Sequence, residues 1–152
     1  MQNNKLKRLP ELLEEISKLK QQNKKIVFTN GVFDILHKGH VAYLSEAKSL
    51  GDLLILGLNS DASVKRLKGP SRPVNNQDDR AFVLAGLESI QFITIFSEDT
   101  PHQLLSQIQP DVLVKGGDYK IEEVVGREFA GETVLIDFVK GYSTSKIIKK
   151  MK

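Results

Sequence analysis

The sequence predicts a single doubly wound α/β domain built on a five-stranded parallel sheet. Five short apolar runs, at 26–29, 53–58, 92–96, 112–115 and 133–138, alternate with segments whose apolar residues recur at helical spacing. Strands and helices that alternate in this way form βαβ units with right-handed crossovers and cover both faces of the sheet. At 152 residues, 40% hydrophobic and 27% charged, the chain has the balance of one ordinary globular domain. That length buries a core without metal or disulfide staples.

The elements follow in order. Leu9, Leu12, Leu13, Ile16 and Leu19 recur at helical spacing with Pro10 in the first turn, so residues 1–24 read as an N-terminal helix ahead of the main domain, 25–152. The first strand stops at Asn30 and Gly31, and Val41, Leu44 and Ala47 then mark a helix over 39–50 closed by Gly51. Residues 53–58 are apolar on both faces of a strand. The stretch 59–77, with Gly69, Pro70 and Pro73, reads as the longest irregular segment, and a loop of that length carries function. A helix resumes at Asp78, and Asp99 or Thr100 caps a further one with Pro101 in its first position. Gly116 and Gly117 break the fourth strand, and 143–150 form the last helix.

Composition excludes several classes of function. With no cysteine, a disulfide scaffold, a thiolate zinc site and a cysteine nucleophile are ruled out, and a reducing compartment fits. No apolar run is long enough to span a membrane, and the first 25 residues lack the apolar core of a signal peptide, so the expected location is cytoplasmic. The net charge of +3 and pI near 9.0 come from lysine-rich ends around an acidic body. Nucleic acid is therefore not an expected partner, since no basic face joined to aromatics is apparent.

Parallel sheets bind ligands beyond the carboxyl ends of their strands. Four segments rich in polar and glycine residues, 30–40, 59–68, 115–118 and 140–146, fall on that edge. Neither GxxxxGK[ST] nor GxGxxG is present, which removes the common kinase and dinucleotide signatures. Instead Gly31 allows a tight turn, and His37 and His40 share one face at the start of a helix, where amides and imidazoles offer donors to phosphate oxygens. A zinc reading of this pair lacks a third ligand beyond Asp34, so no protein-held metal is expected. Gly141, Ser143, Thr144 and Ser145, followed by Lys146, form a second phosphate cradle at the last helix. Lys65, Arg66, Lys68 and Arg72 either clamp a polyphosphate or stand in solvent, and Arg80 reaches toward the same place. Gly116 and Gly117 permit close approach of a flat ligand whose polar edge meets Lys115 or Asp118. There is no nucleophile elbow and no paired carboxylates, so hydrolysis lacks its machinery, whereas transfer between two phosphates needs neither.

TNGVFDILHKGH with its HxGH core, LNSDAS, DDRAFVLAGL, KGGDY and GYSTSKII together resemble the cytidylyltransferase-like nucleotidyltransferase superfamily, with its Rossmann-like fold. NSDASVKRLKG, SRPV and PDVLVKGGDY make the chain similar, within it, to the adenylyltransferases of bacterial ADP-heptose synthesis, in a form without the kinase half. The resemblance implies transfer of AMP from ATP to D-glycero-β-D-manno-heptose 1-phosphate, with Mg²⁺, for lipopolysaccharide core synthesis. By motif position it implies that Asn30, Gly31, Phe33 and Gly39 line the nucleotide site, and that His37 and His40 hold the triphosphate and its transition state. Lys68 or Lys65 would meet phosphates from the other side, and Arg80 would lie near the nucleotide. Lys115, Gly117 and Asp118 would flank base and ribose, Ser143, Thr144 and Ser145 the β and γ phosphates, and Asp34, Asn59 and Asp61 the sugar phosphate. Cytidylyltransferases of the superfamily often carry an arginine just before the GxST segment. Here Phe138, Val139 and Lys140 stand there, which weakens a CTP-using alternative acting on glycerol 3-phosphate or phosphoethanolamine. A non-catalytic nucleotide-binding module is the alternative from another class. A homodimer through a free first helix is a further expectation.

Overall fold

A computed structural model describes residues 3–137 and 144–151. The order is α1 (Leu9–Gln21), β1 (Ile26–Gly31), α2 (Lys38–Lys48), β2 (Leu53–Asn59), α3 (Asp61–Lys68), α4 (Gln77–Ala85), β3 (Phe92–Phe96), α5 (His102–Ile108), β4 (Val112–Gly116), β5 (Glu132–Ile136) and α6 (Thr144–Met151). Two single-turn 3-10 helices, Ile121–Glu123 and Arg127–Phe129, lie between β4 and β5. The strands run β3-β2-β1-β4-β5 and every neighbouring pair is parallel. The chain winds outward from β1 to β3 and then returns to place β4 on the other side of β1. The switch point of this doubly wound sheet therefore lies between β1 and β4.

Side chains alternate across each strand and divide the core in two. Val27, Leu54, Leu56, Ile93, Val112 and Val114 point to one face, where Leu44 of α2 and Leu84 of α4 cover them. Ile26, Phe28, Leu53, Ile55 and Leu113 point to the other, under Leu12 and Ile16 of α1 and Leu105 and Ile108 of α5. Strand β2 is buried along all seven residues, which accounts for its unbroken apolar run. The first helix is thus part of the common core, and its apolar stripe is used within the chain instead of standing free for a second copy. Residues before it add to the sheet: the Lys7 amide donates to Ile93 O at 2.8 Å, and the Ile93 amide to Lys5 O at 2.9 Å.

Gly57 lies in β2 under close cover. A Cβ there would lie 2.8 Å from Phe28 Cζ and 3.3 Å from Leu104 Cδ2. Gly57→Ala is expected to destabilise by about 1–3 kcal/mol through overpacking. Calorimetry on the variant checks this, and an unchanged midpoint contradicts it.

Two local expectations are corrected. The stretch 59–77 is not one long loop, because α3 occupies Asp61–Lys68: Ser60 Oγ accepts from the Ser63 amide as an N-cap, Val64 is buried, and Lys65, Arg66 and Lys68 sit at the negative helix end. Helix α5 begins one residue later than expected, with Pro101 at its N-cap position.

Candidate functional site

The carboxyl edge of the sheet opens into a cleft of about 610 Å³, a size typical of small-molecule sites. Asn30 and Gly31 reach it from β1, Asn59 from β2, and Lys115 and Gly116 from β4. His37 and His40 enter from the start of α2, Lys68 from the end of α3 and Ser145 from α6.

The two histidines form the N-terminal cap of α2. His37 Nδ1 accepts from the Gly39 amide at 3.1 Å, and the His37 amide donates to His40 Nδ1 at 3.3 Å. Two of the amides that a helix start would offer to an anion are therefore taken by imidazoles. Accepting at Nδ1 assigns each neutral ring its proton on Nε2, and the Nε2 of His37 is itself buried. The rings stack at 3.8 Å, and His40 meets the Phe33 ring edge-on at 5.1 Å. Phe33 holds a left-handed conformation, φ 49°, an unusual one for a bulky side chain. Its ring lies over Gly31, where a Cβ would approach Phe33 Cε2 to 2.7 Å. Any side chain at Gly31 would displace the ring that backs His40.

Burial, and then the neighbouring His37 charge, lower the His40 pKa from 6.5 to about 4, and burial lowers that of His37. Both rings are therefore neutral donors at pH 7. As pH falls from 6.5 toward 4 the unfolded chain takes up the proton first, so the stability present above 6.5 is lost across that window, at up to about 1.4 kcal/mol per pH unit for one such group. In a proton NMR titration the His40 ring should show a midpoint near 4. A midpoint at the ordinary value of 6.5 would contradict the buried cap.

Asp34 and Arg80 are both engaged within the chain, Asp34 in the wall of the cleft and Arg80 behind it. The Asp34 side chain is fully buried and accepts from Arg72 Nε at 2.8 Å and from the Val74 and Asn75 amides at 2.8–2.9 Å. Burial raises its pKa, but the two amides and Arg72 outweigh that and hold it below the usual value. A carboxylate so saturated shapes the 72–75 loop and has little left for a sugar phosphate. Arg80, 2% exposed, donates to the carbonyls of Asn75, Val32 and Asn59 and to Asp61 Oδ1, all at 2.8–2.9 Å. Its fork is spent tying the ends of β1 and β2 to α3 and the following loop. Asp61 is consumed in the same clamp, and neither residue lines the cleft.

Of the other expected residues, Asn30, Gly31, Phe33, His37, Gly39, His40, Asn59, Lys68, Lys115 and Ser145 are brought together around the cleft. Lys65, Gly117 and Asp118 are not in its wall. Gly117 instead turns the chain, with φ 99°, after β4. Ser143 and the Thr144 side chain lie outside the described residues, as do Phe138, Val139, Lys140 and Gly141. Lys115 is partly buried, which lowers its pKa, and its ammonium stands 4.8 Å from the Tyr119 ring centre. Sequence reasoning missed Tyr43 and Tyr119 in the wall, and also Asp99, Thr100 and Pro101. The last three follow β3, so the carboxyl-edge rule applied to every strand would have found them.

Residues 28–150 match the family model described as Cytidylyltransferase-like, a span that contains every cleft residue above. The chain belongs to the cytidylyltransferase-like family. Two relatives are the bifunctional protein HldE of Campylobacter concisus, 61% identical over 148 residues and 97% of this chain, and that of Helicobacter pylori strain G27, 58% identical over 144 residues and 95% of this chain. The chain spans about a third of the length of these curated relatives, 31% and 30%. Among solved structures, the lipopolysaccharide core biosynthesis protein from Thermoplasma volcanium superposes with a TM-score of 0.62 at 29% identity, covering 79% of this chain and 99% of that one. For this cytidylyltransferase-like chain, the five-stranded parallel fold agrees with the family. Among the described residues no helix is long and apolar enough to cross a membrane.

Proposed function

We propose that the chain is an adenylyltransferase that moves AMP from ATP to D-glycero-β-D-manno-heptose 1-phosphate, releasing pyrophosphate and ADP-heptose for the lipopolysaccharide core, in the cytoplasm. The observation that carries this reading is the interlocked pair His37 and His40, fixed as neutral Nε2–H donors in a cleft that also holds Lys68, Lys115 and Ser145. The kinship to the HldE proteins and the name of the Thermoplasma protein support a place in lipopolysaccharide core synthesis.

An acceptor phosphate with a second pKa of about 6 is mostly a dianion at neutral pH and attacks without a general base. One of its oxygens forms the bond to the α-phosphorus while the bond from that phosphorus to the oxygen bridging to the β-phosphate breaks, and the electron pair leaves on pyrophosphate. The protein aligns the two phosphates and offsets charge developing on the α-phosphoryl and leaving oxygens. His37 and His40 donate to those oxygens, Lys68 and Ser145 meet the outgoing pyrophosphate, and Lys115 with Gly116 lines the base and ribose side. Mg²⁺ enters as the MgATP substrate. Asp34, a carboxylate in the cleft wall, is already saturated by Arg72 and two amides, a donor set that suits an ion carried on phosphate oxygens.

Pyrophosphate release tests the reading, with MgATP and MgCTP crossed against both anomers of heptose 1-phosphate, glycerol 3-phosphate and phosphoethanolamine. Release with ATP and the β-heptose phosphate alone is expected. Release with CTP and another acceptor overturns the substrate assignment, and no release in any combination leaves a nucleotide-binding module.

A further inference from the structure

The backbone ladder between β1 and β4 stops early. Strand β1 pairs with β2 along its whole length, to Gly31, and β4 pairs with β5 to Gly116, yet β1 and β4 pair only at Val27 with Val112 and at Phe28 with Leu113. Beyond that point the two strands part, and the residues that follow, Asn30 and Gly31 on one and Lys115 and Gly116 on the other, line the cleft together with the buried Leu113 and Tyr43. A parting in mid-sheet leaves carbonyls that need partners. The Val114 carbonyl finds one in a side chain: Thr29 Oγ1 donates to it at 3.0 Å. Thr29 Oγ1 lies 2.7 Å from Tyr43 Oη, which is itself 3.4 Å from the same carbonyl. Each hydroxyl has one proton, so the distances give a chain in which Tyr43 donates to Thr29 and Thr29 donates to Val114. Both residues are buried.

Tyr43 follows His40 by three residues on α2 and so shares its face. Val114 immediately precedes Lys115 on β4. We propose that the Tyr43–Thr29 hydroxyl chain is a positioning device that sets the opening of the β1–β4 crevice, and with it the distance between the histidines that meet the phosphates and the strand end that meets the base and ribose. The inference rests on the nucleotidyl-transfer reading for its kinetic consequence, although the tie itself is independent of it. Tyr43 and Thr29 touch no reacting atom in this account. They act through α2 and β4.

Tyr43→Phe and Thr29→Val each remove one hydroxyl at nearly constant shape. Each is expected to raise KM for ATP about tenfold while kcat falls no more than threefold, because a crevice of the wrong width weakens the nucleotide's two-ended hold. The double variant should cost little more than either single one, since one break opens the chain, and Thr29→Ser should recover most of the loss. Amide hydrogen exchange at Val114, Lys115 and Gly116, read without substrate, should quicken at least tenfold in Tyr43→Phe. Exchange rates like those of the parent overturn the proposal, whether or not the parent turns over any nucleotide. Faster exchange beside a parent inactive with every nucleotide would uphold the tie and sink the transfer reading instead. A fall in melting temperature with unchanged KM and exchange would reduce the two hydroxyls to ordinary core hydrogen bonds.

Discussion

Replacing His40 by alanine is expected to lower kcat by about 10²–10³ while changing the affinity for MgATP by less than about threefold. The magnitude follows from removing one donor aimed at charge that develops only in the transition state. The ring is positioned for that work: it is neutral near pH 7, with its pKa lowered to about 4, and its Nδ1 is occupied by the His37 amide, so the proton stands on Nε2. Alanine also removes half of the reciprocal cap of α2, which costs about 1 kcal/mol of stability and a few degrees of melting temperature. Steady-state kinetics, equilibrium ATP titration and calorimetry on the same preparation separate the two effects. Equal losses in turnover and affinity would make His40 a ground-state ligand.

Replacing Arg80 by methionine is expected to be the most destabilising change near the site, at about 3–5 kcal/mol, or roughly 10 °C in a chain of this length. Its guanidinium is buried and satisfies three carbonyls and one carboxylate, drawn from 32, 59, 61 and 75. Methionine would fill the volume but leave those acceptors without their donor, and an orphaned buried acceptor carries the full desolvation cost. Arg80→Lys should recover less than half of the loss, since one ammonium cannot reproduce a planar fork spanning four acceptors. Urea unfolding at pH 7 gives the comparison. A variant within 1 kcal/mol of the parent, with ATP affinity lost, would return Arg80 to the role of nucleotide ligand.

The contrast between these two residues shows what the sequence could disclose. Strands β1 to β5 were legible because a parallel sheet buried on both faces leaves unbroken runs such as 53–58, and the carboxyl-edge rule then placed the histidines, Asn59 and Lys115 in one cleft. Helix α3 was not legible: apart from Ser63, Val64 is its buried side chain, so no apolar period marks it, and the Ser60 cap was its one signal. Arg80 and Asp34 were placed near the ligands by motif position, and the bonds that hold them within the chain were not legible. Their acceptors and donors come from segments up to 48 residues away, and only the folded chain brings them together. The parting of β1 and β4 leaves no mark in composition at all, because Thr29 and Tyr43 look like any strand and helix residue.

Product identity tests the central claim most directly. The protein, MgATP and β-heptose 1-phosphate, followed by phosphorus NMR, should yield the paired resonances of a nucleotide diphosphate sugar and one equivalent of pyrophosphate, and without the acceptor the ATP resonances should stay unchanged. AMP or ADP appearing at the same rate without the acceptor, or ATP persisting unchanged with it, would contradict the transfer.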